Sequence, residues 1–586
     1  MTEKKWLLLP EPDKQKTNEL AMALGGKNHE TLAGLLVQRG IESTEEAKSF
    51  FNPSLEHLHD PFLMADMEKA IDRLELAMER GEKIMIFGDY DVDGTTAVSL
   101  VFSFFRPLYQ HIEFYIPDRY AEGYGISYLS IDYAAENNIR LIIALDCGIK
   151  SVAHIEKANS LGIDYIICDH HLPGETLPPA VAVLDAKRAD CGYPFKELSG
   201  CGVGFKLMQA LCIRRGLDKS LLLPCLDLLV ISIAADIVPV TGENRIFCFH
   251  GLIQVNNNPR PGVEALIEVA GFRKEFNEKE GRETWCLNIT NVVFGLAPRI
   301  NAAGRIAHAK AAVELLLSET QETAREMAFG VNVNNNERRT VDSSITEEAL
   351  EMIATDAFLK TASSTVLFNE NWHKGVVGIV ASRCIEHYYR PTIILTGSGE
   401  NAGGSARSVA GFDLYEALGE CSDLLLQYGG HTHAAGMTLK KENVPAFIKR
   451  FEEVVKARIT HEQTIPIISL DLRLDFERIT DAFCRNIGRM APFGPLNMQP
   501  VFLSERVQDN GQVTLLKAKT PGSPDHIKMC LQQHSGGPVI EAIAFGMGEY
   551  YKQVATGNFF DVCYTIDYQL WNGRYIKKLM VKDLKF

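Results

Sequence analysis

The stretch Ile84-Met85-Ile86-Phe87-Gly88-Asp89-Tyr90-Asp91-Val92-Asp93-Gly94-Thr95 decides the fold. Ile84–Gly88 is short and apolar throughout, the pattern of a strand buried on both faces. A polar turn follows, then a helix-length segment from Thr95. The unit recurs outward from there, with apolar runs at Ile139–Leu145, Tyr165–Cys168 and Val181–Leu184. Each run is followed by an acid: Asp89, Asp146, Asp169 and Asp185. The spacing leaves room for crossover helices and predicts an α/β fold, a mostly parallel sheet with helices on both sides. Ligands of such sheets bind beyond the carboxyl ends of the strands, where these acids should converge.

Three carboxylates at alternating positions, Asp89, Asp91 and Asp93, repel one another unless cations neutralise them. A plain reading, in which the acids only cap the following helix, stays open for this motif alone. An EF-hand is excluded, because position 12 of a loop counted from Asp89 is Leu100 and a strand precedes the loop. Asp169-His170-His171 adds two imidazoles at another strand end. Carboxylate with imidazole and no thiolate suits Mn²⁺ or Mg²⁺, and a cluster of this size can hold two ions, an arrangement suited to displacement at phosphorus. Asp236, inside the apolar run Leu226–Val240, is either a helix-end acid paired with Arg245 or a further member of the site.

At 586 residues the chain needs several cores. No segment is long and apolar enough to span a bilayer, since Leu221–Val238 is interrupted by Pro224, Asp227 and Asp236; a cytoplasmic protein with no membrane association is expected. The 13 cysteines are odd in number and form no C-x-x-C pair, which suggests free thiols. A net charge of −15 argues against indiscriminate coating of nucleic acid, so any polyanion must meet cations at the site itself. Residues 307–355 read as one long or broken connecting helix around the polar stretch Asn332–Arg339. A mixed region follows with strands Thr365–Phe368 and Thr392–Leu395, and beyond 465 short alternating runs predict a small β-barrel. There Trp571-Asn572-Gly573-Arg574 signals a two-residue hairpin. Arg574, Lys577, Lys578, Lys582 and Lys585, interleaved with Trp571 and Tyr575, suit a strand-tracking surface or a plain solvated face.

Asp89-Tyr90-Asp91-Val92-Asp93-Gly94, Asp146-Cys147-Gly148, Asp169-His170-His171, Gly200-Cys201-Gly202-Val203-Gly204 and Ala235-Asp236 resemble, in that order, the motifs of the DHH phosphoesterases. Pro298-Arg299-Ile300-Asn301-Ala302-Ala303-Gly304-Arg305, Trp372-His373-Lys374-Gly375-Val376-Val377-Gly378, Gly404-Ser405-Ala406-Arg407-Ser408 and Gly429-Gly430-His431 are similar to the RecJ-like exonucleases in particular. The resemblance implies an N-terminal extension over 1–50, a DHH domain over 51–300, a connecting helix over 301–355, a DHHA1 domain over 356–460 and an OB-like domain over 465–586. It implies metal ligands Asp91, Asp93, Asp146, His170 and Asp236, with Asp146 bridging two ions, and catalytic roles for Asp89, Asp146 and His171. Arg119, Tyr124, Arg299, Arg305, Ser405, Arg407 and His431 would bind substrate, several of them at the 5′ end. The activity implied is 5′→3′ digestion of single-stranded DNA in repair and recombination, by a monomer with single-strand-binding protein and helicase partners.

The chain departs from that family at Pro492-Phe493-Gly494-Pro495-Leu496-Asn497-Met498-Gln499-Pro500, where Leu496 and Met498 replace a glycine and a proline and alter the turn. Two alternatives remain: another DHH enzyme acting on short oligonucleotides or nucleotides, and a non-catalytic subunit like the degenerate DHH protein of the eukaryotic replicative helicase. The first typically opens on an Asn-Pro-Asp-x-Asp type motif, and the second is marked by lost ligands; neither mark is present.

Overall fold

The computed structural model describes residues 4–277, 281–518, 524–571 and 574–586. The chain forms two compact units, one comprising Asp60–Asp236 and Gly251–Pro466, the other Trp6–His59, Ile237–His250 and Ile467–Phe586.

The first unit carries the expected parallel sheet. Its strands run in the order Ile112–Tyr115, Lys83–Gly88, Ile139–Leu145, Asp164–Cys168, Ala182–Leu184, and every neighbouring pair is parallel. Met85, Phe87, Ile142, Ala144, Tyr165 and Ile167 pack one face against Ile131, Ala134, Ile155 and Ala158 of two crossover helices. The opposite face meets the helices Val92–Phe105 and Gly200–Arg215. Burying each large aliphatic side chain contributes roughly 1.5–3 kcal/mol before chain entropy is subtracted, which is why four of these strands read as mostly apolar runs. The edge strand Ile112–Tyr115 was not anticipated: it is half-buried at all four positions.

The connecting region is a broken helix, Lys310–Leu316 and then Gln321–Thr355, restarted where the Thr320 side chain accepts from the Thr323 amide. Residues 301–306 lie in the preceding helix Ala297–Ile306, so the connection begins later than 301. A second lobe follows, a five-stranded sheet ordered Leu425–His431, Ala434–Lys440, Asn401–Arg407, Thr392–Ser398, Thr365–Asn369. The helix Val377–His387 and the end of the long helix cover one face through Val380, Ala381, Ile345 and Ala349. Phe447 and Phe451 of the helix Val444–Arg458 cover the other.

In the second unit, strands Phe502–Asp509, Phe560–Trp571, Arg574–Lys585, Ile540–Ala544 and His526–Gln532 pair in sequence, and the last pairs back onto the first, closing a barrel. Trp571 and Arg574 are opposed in the ladder, but the Asn572-Gly573 turn lies outside the described residues. The N-terminal segment belongs to this unit: Leu20, Leu32, Leu35 and Leu36 share one core with Phe476, Phe502 and Tyr564. Leu496, standing where the family has glycine, adopts a left-handed φ of 59°. The turn still closes, with reciprocal bonds between Gly494 and Asn497 at 3.0 and 2.9 Å and the Asn497 amide donating to the Met490 and Pro492 carbonyls.

Candidate metal centre and adjoining anion cavity

The strand ends deliver their acids to one place. His170 Nε2 lies 3.1 Å from Asp146 Oδ1, 3.6 Å from Asp236 Oδ2 and 3.7 Å from Asp93 Oδ2. Two overlapping sets of side chains can each surround a cation, Asp146 with His170 and His171, and Asp93 with His170 and Asp236. Asp146 Oδ1, Asp89 Oδ2 and both ring nitrogens of His170 are buried without a hydrogen-bond partner. Burial first, and then the charges of Asp93, Asp91 and Asp236, push the Asp146 carboxyl well above its ordinary range. Burial and Asp93 do the same to Asp236, to about 8, while burial lowers His170. Buried, like-charged and unpartnered groups of these types fit divalent cations, hard enough for carboxylates and able to take imidazole.

The chain holds these groups through the backbone. Asp146 adopts a left-handed φ of 60°, turning its side chain away from the strand path. Gly200 packs against it, so that a Cβ there would come within 2.5 Å of Asp146 Cβ. The amides of Gly200 and Cys201, at the start of the helix Gly200–Arg215, donate to Asp93 at 2.6 and 2.9 Å, and Ser232 Oγ donates at 2.6 Å. Asp93 is thus a carboxylate cradled by a helix N-terminus. Sequence reading quoted the glycine motif without giving it this role and missed Ser232; the Ser199 cap ahead of it was the available signal.

Asp91 caps the helix Val92–Phe105, accepting from the Gly94 amide at 3.1 Å, and burial and Asp93 raise its carboxyl. It is not within either three-residue set. Asp89 is fully buried and accepts from the Gly125 amide at 3.2 Å. Asp169 orients the histidines, accepting from His171 Nδ1 at 2.7 Å and from the amides of His170 and Ile149. Burial acts against its charge, but the His171 hydrogen bond and the nearby positive charge hold it at about 2. Burial lowers His171, yet the Asp169 carboxylate outweighs it and the net shift is upward. Arg245 donates to the carbonyls of Phe50, Met490, Ala491 and Pro492, so it does not serve as the partner considered for Asp236.

Tyr124 links this centre to a cavity. Its hydroxyl donates to the Asp146 carbonyl at 3.0 Å and lies 3.3 Å from His171 Nε2. The cavity, about 530 Å³, is lined by Tyr124, Arg119, Arg305, Ser405 and Arg407 among the anticipated residues, and also by Tyr90, Tyr120, Lys374, Gln427 and Tyr428. Its described lining contains four cationic side chains and no acidic one. The helix Val377–His387 opens into it through Val377 and Gly378, and no side chain caps that N-terminus. Cations, a hydroxyl and an open helix N-terminus together make an anion site. Burial and the neighbouring Arg119, Arg338 and Arg407 lower Arg305 to about 10.

Two anticipated residues are not brought here. Arg299 is engaged by Asn332 Oδ1 at 3.0 Å and by the Gly295 and Val269 carbonyls, and does not line the cavity. His431 is exposed at the end of its strand and is also absent from the lining.

Metal-type triads at the carboxyl edge of a parallel sheet, faced by an anion cavity, are the arrangement of a metal-dependent phosphoesterase. The families "DHH family, N-terminal domain", "DHHA1 domain" and "RecJ OB domain" match residues 83–233, 360–457 and 470–583. The chain is 39% identical over 578 residues to the single-stranded-DNA-specific exonuclease RecJ of Bacillus subtilis, covering 98% of this chain and 70% of that one. It is 32% identical to the Escherichia coli protein of that name, covering 88% and 89%. The crystal structure of Thermus thermophilus RecJ in complex with Mn²⁺ superposes with a TM-score of 0.82 at 27% identity, over 99% of this chain and 79% of that one. The chain belongs to the RecJ family.

Proposed function

We propose that this chain is a metal-dependent exonuclease that digests single-stranded DNA from its 5′ end, releasing mononucleotides. The observation that carries the reading is the junction at Tyr124 between a centre built for divalent cations and a cavity lined by four cations and no acid. Asp91, Asp93, Asp146, His170 and Asp236 would hold two Mn²⁺ or Mg²⁺ ions, which would supply Lewis acidity for displacement at phosphorus. Asp146, 3.1 Å from the His170 ring nitrogen that both side-chain sets share, would be the carboxylate placed to serve both ions. His171, oriented by Asp169 and kept protonatable, presents Nε2 to the phosphate or leaving oxygen; Asp89 backs the cluster with its unpartnered oxygen. Arg119, Arg407 and Ser405 grip a terminal phosphate, which gives direction to chemistry that has none of its own.

An oligonucleotide labelled first at one end and then at the other, with Mn²⁺, tests this. Early release of a 5′-labelled mononucleotide from the single strand is expected; a ladder shortening from the 3′ end, or equal digestion of blunt duplex, would rule the reading out.

The barrel unit supplies affinity. Arg574, Tyr575 and Lys582 are exposed, and Tyr575 stacks on Tyr568 at 5.0 Å, whereas Lys577 and Lys578 face Asp481 and Glu541. Because the N-terminal helices share the barrel's core, truncation near 465 would damage both, and surface substitutions are the sounder probe. Replacing Arg574, Tyr575 and Lys582 together by alanine should raise Kd for a long single strand about tenfold and flatten its salt dependence, with turnover at saturation unchanged. Equal Kd in both proteins would remove the role.

Among the described residues no helix is long and apolar enough to cross a membrane. A monomer working in the cytoplasm, in repair and recombination, with a helicase to open duplex and a single-strand-binding protein to present it, completes the proposal.

A further inference from the structure

We propose that Tyr120, Arg305 and Gly375 form a clasp that fixes one wall of the cavity and sets where a 5′-terminal phosphate stops relative to the metal centre, a role that rests on the exonuclease reading above. The three residues come from separate parts of the first unit: the segment after the edge strand, the helix Ala297–Ile306, and the turn before the helix Val377–His387. Tyr120 donates its hydroxyl to the Arg305 carbonyl at 2.6 Å, and Arg305 Nη1 donates to the Gly375 carbonyl at 2.7 Å. All three line the cavity.

Gly375 is glycine for lack of space. A Cβ there would lie 2.7 Å from the Tyr120 hydroxyl, 2.9 Å from His373 Cε1 and 3.0 Å from the Arg305 carbonyl. The turn is anchored on its own lobe by Trp372, whose indole donates to Glu348 at 2.8 Å and whose carbonyl accepts from Thr396. Arg305 anchors it to the parallel-sheet lobe. Lys374 stands just before Gly375, and the cavity-facing Val377 and Gly378 just after, so displacing Gly375 moves three anion-binding groups at once. Arg305 thus positions the wall through the Gly375 backbone as well as offering its own charge to the cavity. A neutral carbonyl partner leaves its charge uncompensated beside Arg119 and Arg407, the state in which a phosphate is the missing counter-ion.

The test compares wild type, Tyr120→Phe and Gly375→Ala on 5′-phosphorylated and 5′-hydroxyl single strands, with thermal melting run alongside. Tyr120→Phe should raise KM for the phosphorylated strand about three- to tenfold with little change in kcat, as one lost hydrogen bond predicts, and should leave the hydroxyl strand nearly unaffected. Gly375→Ala should lose more of the same preference. Unchanged preference in Tyr120→Phe, or an equal loss on both substrates, overturns the clasp, and Tyr120→Phe decides alone if Gly375→Ala does not fold. Failure of wild type itself to release 5′ nucleotides would instead overturn the exonuclease reading, and the clasp with it.

Discussion

Asp146→Asn should abolish turnover, lowering kcat on the order of 10³-fold or more, in a protein that folds at least as well as wild type. The loss follows from position: Asp146 forms one set with His170 and His171, and its Oδ1 lies 3.1 Å from Nε2 of His170, the residue that the set of Asp93 and Asp236 shares. An amide there offers a neutral oxygen where the cations need charge. Asparagine suits the left-handed φ of 60° better than alanine does, so the backbone is preserved. Stability should move the opposite way. Burial and neighbouring carboxylates raise the Asp146 carboxyl above its ordinary range, so the folded state holds its proton longer than the unfolded chain. Metal-free wild type therefore loses stability as pH rises from the ordinary carboxylate range toward that raised value, and the amide removes this loss. Melting curves in chelator at neutral pH should place the variant at or above wild type, and added Mn²⁺ should stabilise it less. A folded, Mn²⁺-saturated variant with near-normal turnover would sink the assignment.

Much of the parallel sheet was legible because four of its strands are buried on both faces. Ile112–Tyr115 was not, because an edge strand half-open to solvent carries a weaker pattern. The acids gathered at the sheet's edge could be read from their place after each strand, and Asp236, left open between two readings, lies 3.6 Å from His170 Nε2 while Arg245 donates to backbone carbonyls. What could not be read was direction. The motif around Arg299 identifies the helix, but whether a guanidinium lines the cavity, as that of Arg305 does, or turns away from it, as that of Arg299 does, depends on where each falls around the helix. Nor does any local pattern reveal that Leu32 and Leu36 share a core with Phe502 and Tyr564.

The net charge of −15 and a polyanionic substrate are reconciled by segregation. The acids gathered at the strand ends are of the kind that divalent cations would neutralise, and the adjoining cavity has no acid among its described lining. Cationic lining concentrated beside the acid cluster suits a processing enzyme better than a coating protein.

That arrangement depends on a contact between two backbones, and Gly200→Ala should expose it. The Gly200 amide donates to Asp93 Oδ2 at 2.6 Å, and a methyl on Gly200 would lie 2.5 Å from Asp146 Cβ, 2.7 Å from its Cα and 2.9 Å from Oδ1. Asp146 cannot retreat easily, since its own amide is bonded to the Cys168 carbonyl at 2.9 Å within the sheet. The helix start must move instead, taking the Gly200 and Cys201 donors away from Asp93 and shifting Asp93 relative to His170. Overpacking of this kind costs about 1–3 kcal/mol of stability, and a displacement near 1 Å at reacting groups costs roughly 10²-fold in rate. The control is Gly202→Ala on the same helix, where a Cβ meets only Leu198 and Ser199 at 3.5 Å, an ordinary contact. Gly202→Ala should keep wild-type turnover and gain a little helix stability. Gly200→Ala should lose about 10²-fold in kcat and need more Mn²⁺ for half-maximal rate. Equal turnover and equal Mn²⁺ dependence in the two variants would show that the helix start does not hold the centre in register.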